Sequence, residues 1–145
     1  MKLSAILMLS GLILACVPEK RYEVVSHTEL ENICAQTTID LALVLVDAPV
    51  ENGEMYVSEV DDPLTSVAML PAGSQVKVTS VVIFRSFELS TAKLLGAADT
   101  HPDIVIDVSA LFDPIWRHNL YRSHTRGSEL AREPALVESL ARQCP

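Results

Sequence analysis

QVKVTSVVIFRSF, residues 75–87, is the stretch that decides the fold. Val76 and Val78 alternate with Gln75, Lys77 and Thr79, the two-residue period of a strand with one buried face. Beyond Ser80 the alternation gives way to Val81, Val82, Ile83 and Phe84. With the first period carried through, Val82 and Phe84 join Val76 and Val78, while Val81 and Ile83 intrude on the polar face. A long strand that changes its burial pattern midway is one that bends, often at a bulge. The sequence therefore predicts a strand over 75–87, interrupted near Ser80.

Further strands flank it. Leu64–Leu70 lies upstream across the turn Pro71-Ala72-Gly73-Ser74, and Met55–Val60 precedes the turn Asp61-Asp62-Pro63. TIDLALVLVD, Thr38–Asp47, is dense in β-branched and aliphatic residues and fits a buried strand, broken by Ala48-Pro49 to Gly53. Downstream, Lys93–Ala98 is a candidate partner. Asp103–Ser109 alternates, with Ile104, Ile106 and Val108 inward and Asp103, Asp107 and Ser109 outward. The run Leu70-Pro71-Ala72-Gly73-Ser74-Gln75-Val76-Lys77-Val78 is similar to the turn-and-strand entry of SH3-like and OB-like barrels. That resemblance implies a small antiparallel β-barrel, ahead of the alternative, a β-sandwich.

Two short terminal helices complete the expectation. Thr28 with Glu31 fits a capping box for a helix over Glu29–Gln36, with Leu30, Ile33 and Cys34 on one face. After Gly127, Pro134 suits a first helical turn, and Leu136, Leu140 and Cys144 fall four apart. Leu111–Arg126, broken by Pro114, reads as irregular. The predicted class is mainly β with a helix at each end.

The N-terminus sets the compartment. Lys2 precedes a thirteen-residue uncharged run, Leu3–Ala15, which is shorter than the roughly 20 residues that span a bilayer and has the form of a signal-peptide core. The run ends Ile13-Leu14-Ala15-Cys16, which resembles the bacterial lipobox, with departures at Leu14, where a small residue is commoner, and Ile13, where leucine is. The resemblance implies cleavage before Cys16, diacylation of that cysteine with chains such as palmitate, and attachment to the bacterial cell envelope. Val17 in place of aspartate implies the outer membrane rather than the inner one. Ordinary secretory cleavage after Ala15 is the alternative. The implied organisation is a signal peptide over 1–15, a lipidated N-terminus and tether over 16–25, and one domain over 26–145.

With Cys16 taken by lipid, Cys34 and Cys144 remain as an even pair in an oxidising compartment, where a disulfide is the default and two free buried thiols the alternative. The bridge would close a loop of about 110 residues, for which chain entropy gives roughly 4–5 kcal/mol as an upper figure. On the helical reading, both cysteines face inward from the terminal helices and the bridge pins the two ends of the domain together.

Charge excludes some partners. The chain carries 19 acids and 11 lysines and arginines, a net charge of −8. From Glu19 to Asp113 acids outnumber bases sixteen to five, whereas Trp116–Pro145 holds five arginines against three acids. A chain this acidic suits neither nucleic acid nor anionic lipid, and favours a basic protein partner.

The stretch richest in chemical groups is Trp116-Arg117-His118-Asn119-Leu120-Tyr121-Arg122-Ser123-His124-Thr125-Arg126. As a loop, its Trp116, Arg117, His118, Tyr121, Arg122, His124 and Arg126 could seat a phosphate, carboxylate or glycan through guanidinium forks and aromatic faces. The competing reading has the arginines pairing with acids of their own domain while Trp116 and Tyr121 cap the core. His101, His118 and His124 with Asp99 or Asp103 lack the spacing of a zinc site, and Asp61-Asp62 lacks an EF-hand pattern, so no metal and no cofactor is expected. There is no GxSxG. The expectation is a non-catalytic envelope lipoprotein that binds another envelope protein or ligand. A protective inhibitor or immunity lipoprotein and a small envelope hydrolase are the alternatives.

Overall fold

The computed structural model describes residues 21–25, 30, 32–45, 55–59, 66–85, 90–127 and 133–145. The signal peptide, the lipobox with Cys16, the capping box at Thr28 and Glu31, and Asp61-Asp62 lie outside the described residues. Among the described residues, no helix is long and apolar enough to cross a membrane.

The decisive stretch is β6, Gln75–Arg85, and most of the sheet is built on it. Its neighbours are β7, Ser90–Ala98, on one side, and on the other β1, Arg21–Val25, along its second half and β2, Cys34–Thr37, along its first. Residues 21–25, expected to be tether, are thus a sheet strand. β3 is Leu41–Leu45, β4 Met55–Glu59, β5 Ser66–Leu70, β8 His101–Asp107 and β9 Ala141–Gln143. The order is β5-β3-β4-β8-β7-β6-β2-β9, with β1 also on β6. All pairings are antiparallel except the short β4–β8 contact, Met55 to Ile106 and Tyr56 to Asp107.

The interruption expected near Ser80 is a β-bulge. Val78 pairs with Gly96 and Ser80 with Leu95, so Thr79 is the extra residue. It reverses the inside–outside phase, which corrects the face assignment read from the sequence. Val76, Val78, Val81 and Ile83 share the main core, and Val82 and Phe84 lie buried on the opposite face. Gly96 sits where this crossing is tightest: a Cβ there would collide with the Lys77 carbonyl.

No closed barrel forms. The sheet ends at β5 and β9, and it bends instead at a corner where residues 38–40 carry β2 into β3 and residues 71–74 carry β5 into β6. Thr37 holds that corner. Its N–H donates to the Ser74 carbonyl at 3.0 Å, its hydroxyl donates to the Pro71 carbonyl at 2.8 Å, and its carbonyl accepts from Gly73 N–H at 2.8 Å. Asp40 Oδ1 accepts from Ala72 N–H at 2.7 Å. Thr37 and Ser74 are buried, and the cost of burying their polar groups is met by these bonds. The bend brings Leu41, Leu43 and Leu70 from one limb into one core with Ala35, Val76 and Val78 from the other.

Both terminal-helix expectations fail. Cys34, Ala35 and Gln36 belong to β2, and the segment after Pro134 contains a turn at 138–140 followed by β9. Conversely, the stretch read as irregular contains α1, Pro114–Arg126. Asp113-Pro114 is a helix start: Asp113 Oδ1 accepts from Trp116 N–H at 2.9 Å, and proline at the first position loses no needed donor. Gly127, at φ 67°, closes the helix in the left-handed conformation that glycine adopts most easily. Trp116 and Leu120 enter the core, and the Trp116 ring stacks on Phe112 at 5.5 Å between centroids.

Candidate functional site

Helix geometry sorts the residues of the expected binding loop onto three sides. Trp116, Leu120 and Ser123 are buried, so the tryptophan serves the core. Arg117, Tyr121 and His124 form a half-buried flank. His118, Asn119, Arg122 and Arg126 are exposed, together with Ile115 at 72%. The seven residues therefore do not converge as one loop site. His118 and His124 stand six positions apart, about 120° around the helix, and do not form a pair.

Among the described residues, no acid pairs with an arginine of α1, and Arg117 Nε is buried without a hydrogen bond. His124 is the exception: its Nε2 lies 3.5 Å from Glu23 Oε1 on β1.

A second site, which no sequence motif marks, lies at the β9 edge of the sheet. Cys34 and Cys144 are joined, with Cα atoms 5.4 Å apart. They oppose each other across the β2–β9 ladder, where Cys144 N–H donates to the Cys34 carbonyl at 3.2 Å and Thr38 N–H to the Leu140 carbonyl at 2.9 Å. The bridge thus pins strand to strand, not helix to helix. Arg142 reinforces it, donating from Nε and Nη2 to Gln36 Oε1 at 3.0 and 2.8 Å.

Beside this bridge opens a concavity of about 1020 Å³. Asn32, Ile33 and Cys34 line it from one side, and Pro134, Leu136, Arg142, Gln143 and Cys144 from the other, with Glu133 and Glu138 also among its lining residues. It borders β9, the last strand of the sheet. Cys34–Cys144 and Thr38–Leu140 are hydrogen-bonded pairs, so the alternation of an antiparallel ladder turns the Gln143 N–H and C=O away from β2. The β5 edge is built differently: it carries an extra residue, Val67, opposite the Leu43–Val44 step, and such a bulge blunts an edge against pairing.

A buried ion pair also went unread. Lys93 Nζ lies 3.5 Å from Asp107 Oδ2 and 5.5 Å from the Phe84 ring centre, on the sheet face opposite the core. Asp107 Oδ1 accepts from Ser109 N–H at 3.0 Å, and Ser109 Oγ from Leu94 N–H at 2.8 Å, so these groups fasten the end of β8 to β7. Elsewhere, Asp99 Oδ1 accepts from Gln75 and Thr100 N–H, and His101 Nδ1 lies 2.9 Å from Thr100 Oγ1. No group of three or more metal-ligating side chains occurs among the described residues. Comparison with protein-family models, with curated proteins and with solved structures returned no match to this chain.

Proposed function

We propose that the chain is a lipid-anchored protein of the bacterial envelope, held at Cys16, whose β domain is a non-catalytic binding module. In this reading the concavity beside Cys34–Cys144 receives an extended segment of another envelope protein. The observation that carries it is the coincidence of an open groove with a sheet edge whose Gln143 backbone groups turn outward. An extended peptide adds to such an edge through main-chain bonds, while wall residues such as Ile33 and Leu136 select its side chains. The disulfide keeps a three-residue edge strand in register, which so short a ladder could not do alone.

Gln143→Pro tests the reading, because proline deletes the outward N–H without removing a bond to β2. Partner capture by the membrane-bound protein should fall at least tenfold with the melting temperature unchanged. Undiminished capture would contradict the groove as the binding site.

A second reading, an inhibitor or immunity lipoprotein, is favoured by the acidic rim. Glu133 and Glu138 are exposed in a chain of net charge −8, a surface complementary to a basic toxin or lytic enzyme. On that reading the occupant of the groove is a strongly basic protein, and its capture should weaken steeply with added salt.

A further inference from the structure

Charges of both signs stand at each end of β6, with Lys77 and Arg142 near Gln75 and Glu23 near Arg85. At the Gln75 end of β6 stand Asp40, bonded to Ala72 N–H, and Asp99, bonded to Gln75 N–H. At the Arg85 end, β1 begins, and the register sets Arg21 opposite Arg85. Glu23, two residues on, meets His124 in the last turn of α1. That contact sets the last turn of α1 at Glu23, whose register partner Ile83 lies two residues before Arg85 on β6. The two ends of β6 are ten residues apart, roughly 30 Å.

The helix itself has no acid in its thirteen residues. Its outward stripe is Ile115, His118, Arg122 and Arg126, an apolar residue at one end and, at the other, two exposed guanidinium groups with no acidic partner among the described residues. Four residues separate Arg21 from Cys16, a reach of at most about 18 Å. An acyl anchor at Cys16 therefore holds the Arg85 end of β6, rather than the Gln75 end, toward the bilayer.

We propose that the outward face of α1, together with Arg85, rests on anionic phospholipid headgroups of the membrane that holds Cys16. The net charge of −8 belongs to the whole chain, whereas α1 itself holds no acid and Glu23 on β1 is engaged by His124. Each arginine near an anionic surface contributes roughly fivefold to the contact equilibrium. Ile115 adds a shallow apolar foothold. With the helix seated, the β9 edge and its groove stay free for a partner. The inference rests on the lipid-anchored reading and adds an orientation to it.

The test uses the processed protein in vesicles of phosphatidylcholine with and without phosphatidylglycerol. A nitroxide at Asn119→Cys reports on α1, and one at Thr100→Cys on the Gln75 end of β6, each read by a relaxation agent carried on lipid headgroups. The proposal expects flotation with both vesicle types, and headgroup contact at position 119 only with phosphatidylglycerol. That contact should drop about 25-fold in R122Q/R126Q. Flotation with both types but equal environments at position 119 would overturn the orientation and leave the anchor standing. Flotation with neither would overturn the anchor and the orientation together.

Discussion

The chain ends in two segments of thirteen residues, Pro114–Arg126 and 133–145, which fold by opposite means. The first is a helix with a cap at each end and two large side chains in the core. The second contains one three-residue strand and is held by a disulfide, a turn and side-chain bonds such as Arg142 to Gln36. Removing covalent and edge contacts should therefore loosen the second and spare the first, and removing core contacts should do the reverse. The difference matters for function, because the helix presents a fixed row of charges, whereas the final segment presents backbone at an edge.

Trp116→Ala presses hardest on this contrast. It removes a 4% exposed ring stacked on Phe112 and should cost about 3–5 kcal/mol, read by denaturant unfolding. Amide exchange should accelerate across α1 before it does in Ala141–Gln143. Cys34→Ser with Cys144→Ser comes next, at about 2–5 kcal/mol. Here exchange should rise first in Cys34–Thr37 and Ala141–Gln143 and leave α1 protected; equal loosening of both segments would erase the distinction. Gly127→Ala forces a side chain into the left-handed region and should cost about 1–2 kcal/mol. Its effect should be confined to the last turn of α1. The smallest change is expected from Arg122→Gln with Arg126→Gln, within about 0.5 kcal/mol, since both side chains are exposed and have no acidic partner among the described residues.

These same segments are where reading the sequence exchanged helix and strand. Leu136, Leu140 and Cys144 have helical spacing, yet Cys144 is committed to Cys34 across a ladder, and that covalent constraint overrides a periodicity carried by three residues. In Pro114–Arg126 the period is present too, in Trp116 and Leu120, but Pro114 by itself reads as a breaker. Asp113, Pro114 and Gly127 were the available signal, since together they mark a start and a stop. The strands were more legible, because alternation around Val76, Val78, Ile104 and Ile106 reports burial residue by residue. Only the phase beyond Thr79 was lost, and a single extra residue is enough to reverse it. The disulfide followed from compartment and parity. The groove did not, because it is made by residues distant in sequence whose proximity that bridge creates. The outward charge of α1 was visible in composition, but its division from Trp116 needed the helix.

Photo-crosslinking in cells from Gln143, with Asn119 as the comparison, tests the central claim most directly. The account predicts a discrete protein adduct from Gln143 that disappears in the Cys34→Ser/Cys144→Ser variant, and no protein adduct from Asn119. An adduct from Asn119, with none from Gln143, would contradict it and move the partner from the disulfide-bound edge to the helix.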